Sequence, residues 1–341
     1  SSTSRGLGDV YKRQREDRSD RGVVWMKNSG LIAASFALPL LIWVAVSYVP
    51  GLWQPYTLIT DPGGVSFYRV DMLVANEQFA SQLESARSKG LPLPSGIRSN
   101  PVYLPAPHDV TRALYTSFTT PPARRSEVWF HQSIGHSVSI IFWGFLYSCL
   151  LGVPIGVLCG AYGPVSRLFE PFVEFARYFP APAFGALAVA ILGIHDAPKI
   201  AIIFIGTFFQ MILVVANTTR RLDNGFIEAA QTLGANRARQ LLQVTIPGIL
   251  PDLYKDLRIL LGWAWTYLIV AELIGTSSGI TWFITQQARY KNFDMVFAAL
   301  IILGVIGLLS DLILERLGRR LFPWQRQNAV SYTHLTLPTK A

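Results

Sequence analysis

An all-α, multi-pass membrane protein is the fold class this sequence predicts, and three observations predict it. Of its 341 residues 51% are hydrophobic and only 15% charged, against roughly 25% charged in an ordinary soluble domain. Residues 28–60 and 132–166 contain no Asp, Glu, Lys or Arg, and each run exceeds the ~20 apolar residues a helix needs to cross a bilayer. The charges that do occur gather into a few intervals between apolar runs. Six transmembrane helices are expected.

The elements follow in chain order. A cytoplasmic tail covers 1–25 and the first transmembrane helix 26–50. A cleaved signal peptide is the rival reading of 26–48, but the run is long for one and no small-residue cleavage site follows. An extracytoplasmic segment with short amphipathic helices occupies 51–130. Within it Val70, Leu73, Val74, Phe79 and Leu83 recur at helical spacing over 65–89, a Pro-rich piece runs from Leu91 to Pro107, and 108–118 reads as another short helix. Five further spans lie in the core, 131–318: 132–166, 170–193, 198–218, 256–276 and 294–315. Glu170, Glu174 and Arg177 shorten the apolar part of the third, and Pro180 and Pro182 predict a kink there. A polar loop, 220–252, separates the fourth and fifth spans, and a cytoplasmic tail covers 319–341.

Orientation comes from the Lys and Arg distribution. Lys12, Arg13, Arg15, Arg18, Arg21 and Lys27 precede the first span, Arg220, Arg221, Arg237, Arg239, Lys255 and Arg258 flank the polar loop, and Arg316, Arg319, Arg320 and Arg326 end the chain. Both termini and the loop are therefore expected in the cytoplasm. A net charge of +9 fits juxtamembrane residues facing anionic lipid and does not point to nucleic acid. Cys149 and Cys159 fall on one predicted helix about 15 Å apart at 1.5 Å per residue, too far to pair. The outermost stretches, Ser1 to Gln14 and Ser331 to Ala341, resemble translated sequencing-adapter tails, which makes Met26 the expected native start.

Catalytic chemistry has no foothold. There is no Gly-x-x-x-x-Gly-Lys-Ser/Thr loop for a nucleotide, no His-Glu-x-x-His, no metal-ligand cluster and no Gly-x-Ser-x-Gly. No catalytic, cofactor-binding or metal residue is predicted, and His131, His136 and His195 read as interfacial or hydrogen-bonded residues.

The polar loop carries the most specific signal. Glu228-Ala229-Ala230 is followed after three residues by Gly234, and after nine more by Val244-Thr245-Ile246-Pro247. Asn224 or Gly225 can cap a short helix there, with Glu228 in its first turn where a carboxylate favours the helix N-terminus. Ala229 and Ala230 permit close backbone approach to a partner, Gly234 suits the left-handed residue that ends a helix, and Pro247 opens a new segment. An ordinary amphipathic connector is the bland alternative, against which stand the length, the distal proline and the cytoplasmic placement.

This loop resembles the ATPase-docking loop of ABC importer permeases, and the resemblance extends over roughly residues 100–325. Leu104-Pro105-Ala106-Pro107, Arg177-Tyr178-Phe179-Pro180, Leu192-Gly193-Ile194, Ala197-Pro198-Lys199, Ala271-Glu272, Ser278-Gly279-Ile280, Asn292-Phe293-Asp294, Gly304 with Gly307, Asp311 and Pro323-Trp324 are similar to the nitrate, sulfonate, taurine and bicarbonate branch. Two positions depart from the pattern: Ser137 to Ile141 lacks an Arg common in the second span, and Thr281 stands where a Gly is common. Relative to shorter members, residues near 60–100 look like an insertion, either a cap at the outer mouth or a packing elaboration.

The resemblance implies a type I importer permease core of six transmembrane helices, both termini inside, in a bacterial inner membrane. It implies a translocation subunit and not an enzyme, for a small solute such as nitrate, taurine or another sulfonate, or a similar oxoanion. An extracytoplasmic solute-binding protein delivers that solute, and two copies of a separate ATPase, which bind ATP and Mg, drive uptake. Glu228, Ala229, Ala230, Gly234 and Pro247 are the expected coupling residues. A single docking loop in the chain implies a homodimer, with a hetero-pair as the alternative. Glu272, at the outer end of the fifth span, is either a gating or pathway residue or a structural hydrogen-bond partner, because an intramembrane carboxylate is costly and faces protein or water. Thr207, Gln210, Trp263, Thr266 and Tyr267 are further pathway candidates. The alternative functions are a permease of the same fold for another solute, such as a pyrimidine precursor, or a secondary transporter, which would need repeats and no docking loop.

Overall fold

A computed structural model describes residues 30–31, 33–49, 52–122, 128–274 and 278–324. The tails taken as adapter-derived and the proposed start at Met26 lie outside the described residues. The chain forms two compact units, one from residues up to Ala113 with Lys291–Asp294, the other from Leu114–Tyr290 and from Met295 onward.

In the first unit helix α1 (Ala33–Tyr48) is short and apolar, and the charge-free run 28–60 does not continue as one helix. The β-branched sequence Tyr-Thr-Leu-Ile-Thr-Asp forms strand β1 (Tyr56–Asp61), the centre of an antiparallel sheet between β2 (Leu73–Ala75) and β3 (Ser95–Ser99), in the order β2-β1-β3. Thr57 is opposite Val74 on one side and Arg98 on the other.

This sheet corrects two expectations. The protein is mostly helical but not all-α, and the helix expected over 65–89 occupies only α2 (Asn76–Ser88). The reason is local: Asp71 adopts φ +64°, which a helix does not allow, and Leu73–Ala75 satisfies its backbone by pairing with β1. Asn76 anchors the start of α2, accepting from Thr57 Oγ1 at 2.8 Å and donating to the Gln54 carbonyl at 2.6 Å. Ile59, Val65, Tyr68, Val74 and Ala86, with Phe79, form the core between sheet and helix. Trp43 Nε1 donates to the Pro105 carbonyl at 3.1 Å, just before helix α3 (Pro107–Thr119), whose proline stands at the first helical position, where a missing N–H costs nothing.

The second unit is built on α4 (Phe130–Ala161) and α7 (Asp196–Arg220). Every fourth residue of α4 from Gly144 is small: Gly144, Ser148, Gly152, Gly156 and Gly160. A Cβ on Gly144 would stand 2.8 Å from Ile203 Cβ, and one on Gly156 2.7 Å from Val215 Cβ, closer than carbon atoms approach. The partner residue advances along α7 as the glycine advances along α4, so the two helices run parallel and in close contact. Small residues at this spacing let membrane helices gain dispersion contacts without a hydrophobic driving force. Ser148 Oγ, in the same row, lies 2.6 Å from Thr207 Oγ1 and donates to the Phe204 carbonyl at 3.1 Å.

Between these two helices the chain forms α5 (Gly163–Ala176) and, after a single turn over Ala181–Phe184, α6 (Gly185–Leu192). The α5 helix begins earlier than the third expected span, and the pair is bent by 84° at the break that ends with Pro180, with Pro182 in the single turn that follows. After α7 come α8 (Asn224–Thr232), a single turn α9 (Arg237–Arg239), a wide turn over Gln240–Thr245 and α10 (Ile246–Ala271). The Tyr267 ring of α10 lies on Gly206, where a Cβ would be 2.7 Å away. Ile140, Ile202, Ile203, Ala264, Leu268 and Ala271 make the buried centre.

Helices α11 (Ile280–Arg289) and α12 (Phe293–Leu321) complete the chain. The last is tied to α10 by a bidentate Arg258–Asp311 pair at 3.0 and 2.9 Å and by Tyr254 Oη donating to the Leu314 carbonyl at 2.6 Å. Among the described residues α4, α7 and α12 are long and apolar enough to cross a membrane, and α5 with α6 makes a fourth if the bent pair is one span. The protein is a multi-pass, membrane-embedded chain.

Candidate functional site

Helix α8 carries the Glu-Ala-Ala segment, and the sequence terminates it sharply at both ends. Asp223, not Asn224 or Gly225, is the cap: its Oδ1 accepts from Gly225 N at 2.9 Å. The helix therefore starts one residue earlier than expected, and Glu228 falls in its second turn instead of its first. At the other end Gly234 has φ +76°. Ala235 N donates to the Ala230 carbonyl and Gly234 N to that of Gln231, both at 2.9 Å, the two-bond closure that needs a left-handed residue.

One face of α8 looks away from the chain. Ala230 is buried, Glu228 and Ala229 are exposed, and Phe226 and Leu233 expose 60% and 86% of their surface. Past Gly234 the Asn236 side chain accepts from Arg239 N at 2.9 Å and restarts the helix, and Leu242 is again 63% exposed. Pro247 stands exposed at the start of α10, where it has no N–H to return to residue 243, directly after the wide turn. A Cβ on the neighbouring Gly248 would be 2.8 Å from Leu222 Cδ1, so the base of α10 rests on the residue that leads into α8. Thr218 and Asp256 share a short hydrogen bond between α7 and α10. The base of α10 thus meets both the residue that leads into α8 and, through this bond, α7.

A second constellation surrounds Glu272, which follows directly on α10 and is 1% exposed. One carboxylate oxygen accepts from Ser137 Oγ of α4, the other from Thr281 N at 2.8 Å, and Ser137 Oγ accepts in turn from Ile280 N at 2.9 Å. Gly279 has φ +101°, and a Cβ there would fall on the Glu272 carboxylate. Beside it Lys199, with no exposed surface, donates to Ser278 Oγ at 2.6 Å and Asp196 Oδ1 at 3.2 Å. His136 Nε2 lies 2.9 Å from Ser278 Oγ and 3.1 Å from Asp196 Oδ1. Four elements, α4, α7, the end of α10 and the start of α11, meet in these polar contacts.

The remaining candidates scatter. Thr207 is buried and bonded to Ser148 and to the Ile203 carbonyl at 2.8 Å. Tyr267 covers Gly206, Gln210 is half-buried, and Trp263 and Thr266 are exposed on α10. The sequence reading missed Ser137, Asp196, Lys199 and Ser278 as a group. One signal was available: a lysine inside an expected span, three residues after an aspartate.

The sequence matches the family model for binding-protein-dependent transport system inner membrane components over residues 152–323. It is 34% identical over 191 residues to a probable ABC transporter permease protein of Brucella abortus, covering 56% of this chain and 76% of that one. It is 31% identical over 225 residues to the taurine transport system permease protein TauC of Escherichia coli, covering 66% and 81%. The bicarbonate transport system permease protein CmpB of Synechococcus elongatus is 26% identical over 53% of this chain and 66% of its own. Among solved structures, a chain of the inward-facing MetNI methionine ABC transporter superposes with a TM-score of 0.52 at 20% identity, over 56% of this chain and 95% of that one. This likeness speaks to the fold alone.

Proposed function

This chain belongs to the binding-protein-dependent transport system inner membrane components, the permeases of ABC importers, and from that premise we propose that it forms the translocation pathway for a small oxoanion or sulfonate. The names of its relatives, taurine, aliphatic sulfonate and bicarbonate permeases, support that solute class. An extracytoplasmic binding protein delivers the solute and two copies of an ATPase subunit, which hold ATP and Mg, drive its uptake. The permease is a homodimer in the bacterial inner membrane, each chain with six crossings and both termini inside. The crossings beyond the four apolar ones fall to α1 and α10.

The observation that carries the coupling reading is α8. A short helix, capped at both ends, presents Phe226, Glu228, Ala229 and Leu233 outward while its other side packs on the wide turn over Gln240–Thr245 and Leu222, just before it, lies against Gly248 of α10. Exposed apolar side chains around a small-residue face suit insertion into a groove of a partner. Glu272 fits a role at the outer gate: its hydrogen bonds to Ser137 and Thr281 join the elements that a solute entering from outside has to part.

The test is co-purification of the permease with its cognate ATPase, and ATP-dependent uptake by the reconstituted complex. Gly234→Asp and Glu228→Lys are expected to abolish the association while the permease stays folded. Solute uptake driven by an ion gradient with no ATPase present would refute the reading. The solute class is tested by a binding screen of the cognate extracytoplasmic receptor against nitrate, bicarbonate, taurine and uncharged controls.

A further inference from the structure

At one side of α8 the second unit holds a cavity of ≈510 Å³ whose lining includes Tyr162, Gly163, Arg220, Asn224, Gln231 and Arg237, and no Asp or Glu. Two arginines among the lining residues, with no carboxylate beside them in the walls, make a setting for an anion. Arg220 donates to Glu170, to Ser166 Oγ at 3.1 Å and to Asn217 Oδ1 at 3.2 Å, so its guanidinium is held in place with its charge partly offset, and among the described residues Arg237 is the free cation of the lining. Arg237 is exposed and has no carboxylate partner among the described residues. Tyr162 Oη donates to the Arg237 carbonyl at 3.4 Å, which draws the α9 turn toward the junction of α4 and α5. Gly163 opens α5 with no side-chain cap; Pro164 has no N–H, and Val165 N and Ser166 N donate to the Tyr162 carbonyl, which leaves the Gly163 N–H as the donor this helix start offers.

Size and depth narrow the ligand. A volume of ≈510 Å³ lies within the range of small-molecule sites, roughly 300–1,000 Å³, and exceeds what a bare ion requires. The cavity lies where α4 and α7 end and α5 begins, the level at which membrane helices meet headgroups. Guanidinium forks match phosphate oxygens in geometry. We infer that this cavity is a binding site for a phosphate group carrying a small polar body, supplied by an anionic lipid headgroup or by a soluble phosphate ester. An occupant bridges the start of α5 to α8 and α9, and so stiffens the loop that carries the Glu-Ala-Ala segment.

The full chain, purified in a neutral detergent, is to be melted with inorganic phosphate, with glycerol 1-phosphate and with chloride at matched ionic strength. In parallel it is placed in phosphatidylcholine discs with and without phosphatidylglycerol, and retained lipid is read by native mass spectrometry. The wild type is expected to gain thermal stability from phosphate compounds over chloride or to retain phosphatidylglycerol. Arg237→Gln is expected to weaken that binding about tenfold, and Gln231→Glu, which puts a carboxylate in the wall, to abolish it. Retained phosphatidylglycerol that glycerol 1-phosphate displaces identifies a lipid site; stabilisation with no retained lipid identifies a soluble ester. Both side chains are exposed, so the variants are expected to fold. The inference is overturned if neither phosphate nor lipid binds, or if wild type and both variants respond alike.

Discussion

Gly279 lacks a side chain because the Glu272 carboxylate occupies the place where its Cβ would stand. The two residues are seven apart in sequence and lie between the end of α10 and the start of α11. Gly279 at φ +101° brings Thr281 N within 2.8 Å of Glu272 Oε2. A buried carboxylate needs such donors, since burial without them is costly.

Gly279→Ala is therefore expected to destabilise the chain by about 2–4 kcal/mol, combining a left-handed backbone with overpacking. Gly262→Ala is the control, since a Cβ there has nothing within 4 Å. Thermal unfolding in detergent separates them: equal midpoints for the two variants would show that Gly279 is not constrained by Glu272.

Ser137→Ala removes a donor to Glu272 and an acceptor for Ile280 N in a site that is 1% exposed at Ser137. A loss of about 1–3 kcal/mol follows from leaving a buried group unpaired. In a double-mutant cycle with Glu272→Gln the two changes are expected to be non-additive, because they act on one network. Additive losses in chemical denaturation would mean the contact carries no energy.

The small-residue row of α4 sets a third expectation. Gly156→Leu places a side chain where even a Cβ would be 2.7 Å from Val215, and it should prevent α4 and α7 from closing, seen as rapid proteolysis and aggregation on gel filtration. Gly135→Leu on the same helix, with nothing within 4 Å of its Cβ, should leave the chain monodisperse.

Leu233→Asp distinguishes a partner surface from a core. With 86% of its surface exposed, Leu233 contributes little to folding, and the substitution should change stability by less than about 0.5 kcal/mol. Association with the ATPase subunit should nonetheless be lost. Retained association would place the docking face elsewhere.

Much of the fold was legible because helical periodicity and charge-free runs are local properties. The positions of α4, α7 and α12, the break at Pro180 and the helix end at Gly234 each follow from a few adjacent residues. The sheet in the first unit was not legible. Leu73, Val74 and Ala75 fit a helical pattern with Phe79 and Leu83, and only pairing with Tyr56–Leu58 makes them a strand. The capping aspartate was missed for a smaller reason: Asp223, Asn224 and Gly225 are all acceptable caps, and geometry selects one.

What the sequence by itself determined is that the chain is membrane-embedded, that it is helical over most of its length, and that one polar loop holds a short helix ended by glycine. These depend on solvent preference and on backbone freedom, which each residue carries with it. The tertiary structure decided which residues share a neighbourhood. It seated four elements around Glu272, set Lys199 against Asp196 and Ser278, and lined a cavity with Arg220 and Arg237. The bonds of Lys199 and His136 to Ser278 and of Ser137 to Glu272 join residues 79 to 142 positions apart, and close packing of α4 on α7, permitted by a row of small residues, is what brings them together.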